Sequence, residues 1–196
     1  MLDIGQPDSS AFSESQREVF IRYLFSALTD SDWLSTEEHF EQDTFKTRIG
    51  ASLPIDVMIN KLEDEFFKKS KDGEINQLRN DARYQALQKA DMPCGFYSLS
   101  LPTGMGKTLT SMAWALCHAK KNDLKRIIIV LPYINIIDQT AQILKSIFGE
   151  EWVLEHHSSY NEDEHNVRDM TESCSAIEEQ KRLACENWDY PIIVTT

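Results

Sequence analysis

Lys107 and Thr108 follow the glycine turn Pro102-Thr103-Gly104-Met105-Gly106, and these residues have the types and spacing of a phosphate cradle. Gly104 and Gly106 lack a Cβ, so the backbone there can take positive φ and come close to an anion. Backbone N–H groups from Thr103 to Thr108 would converge on phosphate oxygens at a helix N-terminus. Lys107 would reach the β- and γ-phosphates of ATP, and the Thr108 hydroxyl would complete a Mg²⁺ shell. Lys107 and Thr108 are therefore the candidate catalytic residues, and 102–108 is the candidate nucleotide and Mg²⁺ site. The strict pattern has a further glycine five residues before Gly106, where this chain has Leu101. Context compensates. Residues 95–101 are apolar and aromatic enough for a strand, and 109–116 are helix formers, giving the strand–loop–helix setting the motif requires. A glycine turn before a helix with a solvated lysine is the plainer alternative, and the legible strand and helix speak against it.

Other reactive side chains carry weaker signals. Asp163-Glu164-His165 spells a DExH string, but such carboxylates must sit at the end of a buried strand to face Mg²⁺. Here residues 158–162 are polar throughout, so the string reads as a solvated loop. His156-His157 could ligate a metal, yet no Cys, His or Asp stands at matching spacing, and a structural role is expected. Lys120, Lys121, Lys125 and Arg126 read as a solvated helix end rather than as phosphate contacts. Cys94, Cys117, Cys174 and Cys185 show no metal-ligand spacing, so free thiols in a reducing cytoplasm are expected.

The elements that must position these residues are legible in the hydrophobic pattern. The 196 residues fit one domain of ordinary size or one and a half small ones, and 41% hydrophobic composition supplies a core. A net charge of −12 argues against broad adhesion to DNA or membranes, though not against a local groove. There is no signal peptide and no apolar run near about 18 residues, so a soluble chain without a membrane partner is expected. Residues 1–12 carry no periodic signal and are expected to fray. From Ser13 the pattern is helical, with Phe20, Ile21, Leu24, Phe25 and Leu28 on one face and acidic residues interrupting over 30–37. Pro54 suits a helix start, followed by the stripe Ile55, Met58, Ile59, Leu62 and Phe66. A basic turn leads to another helix carrying Ile75, Leu78, Ala82 and Leu87.

The character changes near Pro93, where apolar strands begin to alternate with helices, the signature of a parallel α/β sheet. Strands are expected over 126–131, 152–154 and 191–196, with a helix over 134–148. Residues 156–173 are polar, long for a loop, and expected to be mobile. Ser175 to Glu178 forms a capping box opening a helix to about Trp188. Ending inside a strand, the chain reads as a truncated piece.

Four segments together are similar to the CRISPR-associated nuclease-helicase of type I systems. They are 95–108, then 127–139 with its Leu131-Pro132-Tyr133-Ile134-Asn135-Ile136-Ile137-Asp138-Gln139, then Leu154-Glu155-His156-His157-Ser158, and 186–196. The resemblance covers about residues 20–50 and 93–196. It implies an HD-type, metal-dependent nuclease fused to a superfamily 2 helicase with two RecA-like domains. Leu101 to Thr108 resembles helicase motif I, in which the first glycine is often absent. Pro132-Tyr133 through Gln139 resembles motif Ia, and Val194-Thr195-Thr196 resembles motif Ib. The implied single-stranded DNA contacts are Pro132, Tyr133, Gln139, Thr195 and Thr196. The implied activity is ATP-driven 3′-to-5′ translocation and degradation of DNA marked by an RNA-guided surveillance complex, in antiviral defence. Leu24 to Leu34 looks like the last helix of the nuclease, whose late aspartate ligates a divalent transition metal. Asp32 matches that aspartate best, with Asp30 as its rival. The histidines that would complete the site are absent, since no His precedes His39, so Asp32 reads as a solvated orphan.

The expected organisation is an α/β chain: the tail of a nuclease domain over 1–49, a helical connector over 50–92, and the front half of a first RecA-like domain over 93–196. Motif II and the second RecA-like domain are not among these residues, so nucleotide binding without turnover is expected. One alternative is another P-loop ATPase or a kinase, which would lack the tyrosine-bearing motif Ia. The other is a non-catalytic module that holds nucleotide or docks a partner.

Overall fold

The computed structural model describes residues 13–48, 53–69, 73–157 and 176–196. The chain divides into two compact units, Met1–Arg48 and Ile49–Thr196.

The first unit is built on a 27-residue helix, α1 (Glu14–Phe40), followed by the short α2 (Gln42–Thr47). Ser13 and Gln16 form a reciprocal capping box at its start, satisfying two orphan donors of the first turn. The acidic stretch over 30–37 does not interrupt α1. It contains no glycine or proline, and the Thr29, Ser31 and Thr36 hydroxyls donate back to carbonyls one turn earlier. Both guanidinium arms of Arg48 bond the Glu37 carboxylate at 2.7 Å, folding the end of α2 back on α1. None of α1 is buried among the described residues, and Phe25, Leu28 and Trp33 are about 70% exposed or more.

The second unit is a three-stranded parallel sheet with helices on both faces. The strands β1 (Ile127–Val130), β2 (Val153–His156) and β3 (Ile192–Thr195) lie in the order β1-β3-β2. Val130 and His156 both align with Thr195, so the three carboxyl ends lie together. The remaining helices are α3 (Ile55–Lys68), α4 (Glu74–Leu87), α5 (Lys107–Asn122), α6 (Ile134–Phe148) and α7 (Ala176–Asn187). Side-chain alternation along β3 assigns the faces. Ile192 and Val194 join Ile127 and Val153 in a core with Met58 and Leu62 of α3, Met112 and Leu116 of α5, and Ile137 and Leu144 of α6. Ile193 faces the other way, with Leu154, Ala184 of α7 and Tyr190. The Tyr190 hydroxyl donates to the Glu151 carbonyl at 2.8 Å, so this buried phenol is satisfied.

The helices α3 and α4 share the core of the sheet unit through α5 and α6, with Lys61 of α3 donating to the terminal carbonyl of α6 at Phe148. Of the apolar residues of α4, Ile75 and Leu78 are about half exposed, and Ala86 is the residue that α4 buries. The apolar run 95–101 forms no strand. No strand among the described residues pairs with it, and Phe96 stands fully in solvent. Composition reports that a segment suits a pleated surface, whereas a ladder needs a neighbour to supply its hydrogen bonds. The polar stretch 156–173 lies mostly outside the described residues.

Leu144 is fully buried beneath the sheet, so Leu144→Ala should cost about 2–5 kcal/mol of stability, read from urea unfolding. Leu28→Ala, at an exposed site of α1, should stay within about 0.5 kcal/mol of the parent. Equal effects at the two sites would show that this division of buried and exposed faces is wrong.

Candidate nucleotide-binding site

The turn before α5 is made by two glycines in conformations that a side chain disfavours. Gly104 has φ of +83°, and Gly106, the N-cap of α5, lies in the left-handed region at φ +74° and ψ +34°. A Cβ built at either position would meet no atom within 4 Å, so open space stands above both. The Met105 N–H donates to the Pro102 carbonyl at 3.3 Å, closing the turn. Lys107 opens α5 and Thr108 follows, both exposed, while Thr110, Met112, Ala113, Leu116, His118 and Ala119 anchor the rest of the helix in the core. A helix anchored in the core thus presents two exposed polar side chains at its N-terminus.

Arg79 of α4 fixes the turn from outside. Its Nε and Nη2 both donate to the Gly104 carbonyl, at 2.9 and 2.7 Å, and its Nη1 donates to Asn76 at 2.9 Å. Arg79 carries no local signal in the sequence, because it lies 25 residues upstream of the carbonyl it holds. A cavity of about 470 Å³ opens between this arginine and the turn, walled by Phe66, Arg79, Arg83, Met105, Gly106 and Leu109, among others. The Arg83 guanidinium lies 3.8 Å over the Phe66 ring, and its Nη1 is buried without a hydrogen-bond partner.

At the carboxyl edge of the sheet, Pro132, Tyr133 and Gln139 are exposed, Tyr133 being the N-cap of α6. Thr196 is also exposed. Thr195 corrects the expectation of a surface contact: it is 2% exposed, because β3 is the central strand, and its hydroxyl lies 3.3 Å from His156 Nδ1. Asp32 and Asp30 are exposed on α1, and among the described residues neither joins a group of potential metal ligands. The DExH string at 163–165 lies outside the described residues.

His157 is not alone as the sequence suggested: its Nε2 lies 3.5 Å from carboxylate oxygens of both Asp138 and Glu155. Burial acts to raise the Glu155 carboxyl, but the hydrogen bond and charge of Lys145, 2.6 Å away, hold it below its ordinary value. The basic groups near the end of α5 are paired with acids: Lys120 with Asp56, Lys125 with Asp123 and Arg126 with Asp189. Among the described residues, Cys94 and Cys117 are free thiols, and burial pushes the Cys117 thiol up, away from reactivity. No described helix is long and apolar enough to cross a membrane.

A family profile described as "Type III restriction enzyme, res subunit" matches residues 59–196. The domain it describes is RecA-like and helicase-like, a P-loop ATPase that uses ATP and Mg²⁺. No curated protein matches the chain. The matched span starts within α3, takes in α4 with Arg79, and runs through the glycine turn to β3.

If Arg79 restrains the turn, Arg79→Met should speed backbone amide exchange over 103–107 by about two- to tenfold, the value of one or two exposed hydrogen bonds. Exchange in β3 should not change. Equal protection in the variant would show that Arg79 does not hold the loop.

Proposed function

Because the chain belongs to the family of the type III restriction enzyme res subunit, we propose that residues 102–108 are its nucleotide site. In this reading Thr103, Gly104, Met105 and Gly106 cradle the phosphates of ATP, Lys107 pairs with them, and Thr108 holds Mg²⁺. The observation that carries it is the pair of positive-φ glycines with open space above them, directly ahead of Lys107. Bound Mg²⁺ would supply charge neutralisation on the β- and γ-phosphates. The chain's own part is to hold the turn with Arg79 and to set Lys107 and Thr108 on a helix anchored in the core.

We further propose that the chain belongs to an ATP-driven translocase on single-stranded DNA, of the CRISPR-associated nuclease-helicase kind that acts with an RNA-guided surveillance complex. The support is the sequence resemblance together with the exposure of Pro132, Tyr133, Gln139 and Thr196 at the carboxyl edge of the sheet, where open parallel sheets bind ligands. For the nuclease role the support is the resemblance of residues 24–34 alone, and Asp32 by itself cannot hold a metal. Turnover of ATP is not assigned to these residues, since no described carboxylate faces the turn in the manner of motif II.

Two measurements test the proposal. At a hundredfold excess over Kd, Mg·ATP should raise the melting point by roughly 5–11 °C. Lys107→Ala should weaken that binding by about ten- to a hundredfold while leaving the nucleotide-free melting point unchanged, since Lys107 is exposed. An undiminished shift in the variant would falsify the nucleotide site. Fluorescence anisotropy should show weak single-stranded DNA binding that falls steeply with salt and falls further in Tyr133→Ala. Tight, sequence-specific binding at physiological salt would contradict the backbone-tracking surface.

A further inference from the structure

We infer that Asp138, Glu155 and His157 form a binding site for a divalent transition metal, Zn²⁺ above all, that clamps α6 to the end of β2. Asp138 comes from the second turn of α6, Glu155 from β2, and His157 directly follows that strand. One ligand atom from each lies within 4.8 Å of the other two. His157 Nε2 stands 3.5 Å from Asp138 Oδ1 and 3.5 Å from Glu155 Oε1. That separation is long for an N–H···O hydrogen bond, whose usual range ends near about 3.2 Å. It suits two ligands of one ion, because groups held at about 2.0–2.1 Å on a tetrahedral Zn²⁺ lie about 3.3–3.4 Å apart.

The surroundings favour an ion independently of that spacing. Asp138 Oδ1 is sealed from solvent and accepts no hydrogen bond, although the rest of its side chain is about half exposed. A buried carboxylate oxygen without a donor is costly, and a cation would satisfy it. The His157 side chain is 8% exposed and that of Glu155 11%, so two of the three ligands are already withdrawn from water. Lys145 occupies Glu155 Oε2, which leaves Oε1 facing the histidine and supplies the outer hydrogen bond that orients a ligating carboxylate. One imidazole with two carboxylates is a mixed nitrogen and oxygen donor set, better matched to Zn²⁺ or Co²⁺ than to Mg²⁺. Three protein ligands leave a fourth position for water.

The test is titration of the full 196-residue chain, free of nucleotide, with Co²⁺ and Zn²⁺. Co²⁺ should give the visible absorption of a four-coordinate site at one equivalent, and Zn²⁺ should displace it. Zn²⁺ at a hundredfold excess over Kd should raise the melting point by roughly 5–11 °C. Asp138→Ala removes a half-exposed side chain and should fold normally, yet lose Co²⁺ affinity at least tenfold. His157→Gln should lose it too, and Lys107→Ala should not. Absence of the Co²⁺ spectrum in the parent chain would overturn the site and leave His157 as a ring packed between two carboxylates. So would a spectrum that persists unchanged in both Asp138→Ala and His157→Gln, because the ion would then be held elsewhere in the chain.

Discussion

The complete burial of β3 is the constraint on which the sheet unit depends. Its backbone groups pair with β1 on one side and β2 on the other, and every one of its residues is buried. Parallel neighbours cannot be joined by tight turns, so each connection must cross over a face of the sheet. Side-chain alternation along β3 demands apolar cover on both faces, which α3, α5 and α6 give on one and α7 on the other. With all three strands parallel, their carboxyl ends fall along one edge. Leu131 to Tyr133, His157 and Thr196 are collected there by topology, whatever their own preferences.

The glycine turn depends on a different balance. Two positive-φ glycines on either side of Met105 cost backbone entropy, and within the loop the 3.3 Å bond between Met105 and Pro102 is what offsets it. The stabilisation comes from both flanks. On the C-terminal side, six buried residues of α5 fix the direction in which the helix starts. On the other side, Arg79 grips the Gly104 carbonyl with two donors and is itself oriented by Asn76. The loop is therefore preorganised by elements that precede and follow it, while its own upper surface stays open.

Local features were legible in the sequence, and non-local ones were not. The 3.6-residue stripe of Met58 and Leu62, the apolar runs of β1 and β3, and the glycine spacing at 104 and 106 each depend on residues close together in the chain. They appear where the pattern placed them. Residues 95–101 have the composition of a strand, but pairing is decided by a partner, and composition holds no information about one. Thr195 reads as a strand-end polar residue, and its burial follows only from the strand order that puts β3 in the middle. The same order brings His157 to Asp138, across 19 residues of sequence and between two elements, so the spacing rules for metal ligands could not detect it. The apolar residues of α1 between Phe20 and Leu28 were legible as part of a helix, yet their exposure was not, because a pattern shows which side can be buried and not what buries it.

Charge placement shows how a chain of net charge −12 can accommodate the proposed anion site. The cations at the end of α5 and the start of β1 are matched by carboxylates: Lys120 by Asp56, Lys125 by Asp123, Arg126 by Asp189. These exposed pairs contribute little stability each, but they cancel positive charge where no anion is bound. Beside the glycine turn the pattern inverts. Arg79 uses its donors on a carbonyl and an amide, and Arg83 rests on an aromatic ring, so neither guanidinium is neutralised by the contact it makes. A carbonyl or a ring face holds a cation in place without cancelling its field, whereas a carboxylate does both. The choice of contacts, more than the count of basic residues, is what leaves two positive charges uncancelled beside the turn in a chain of net charge −12.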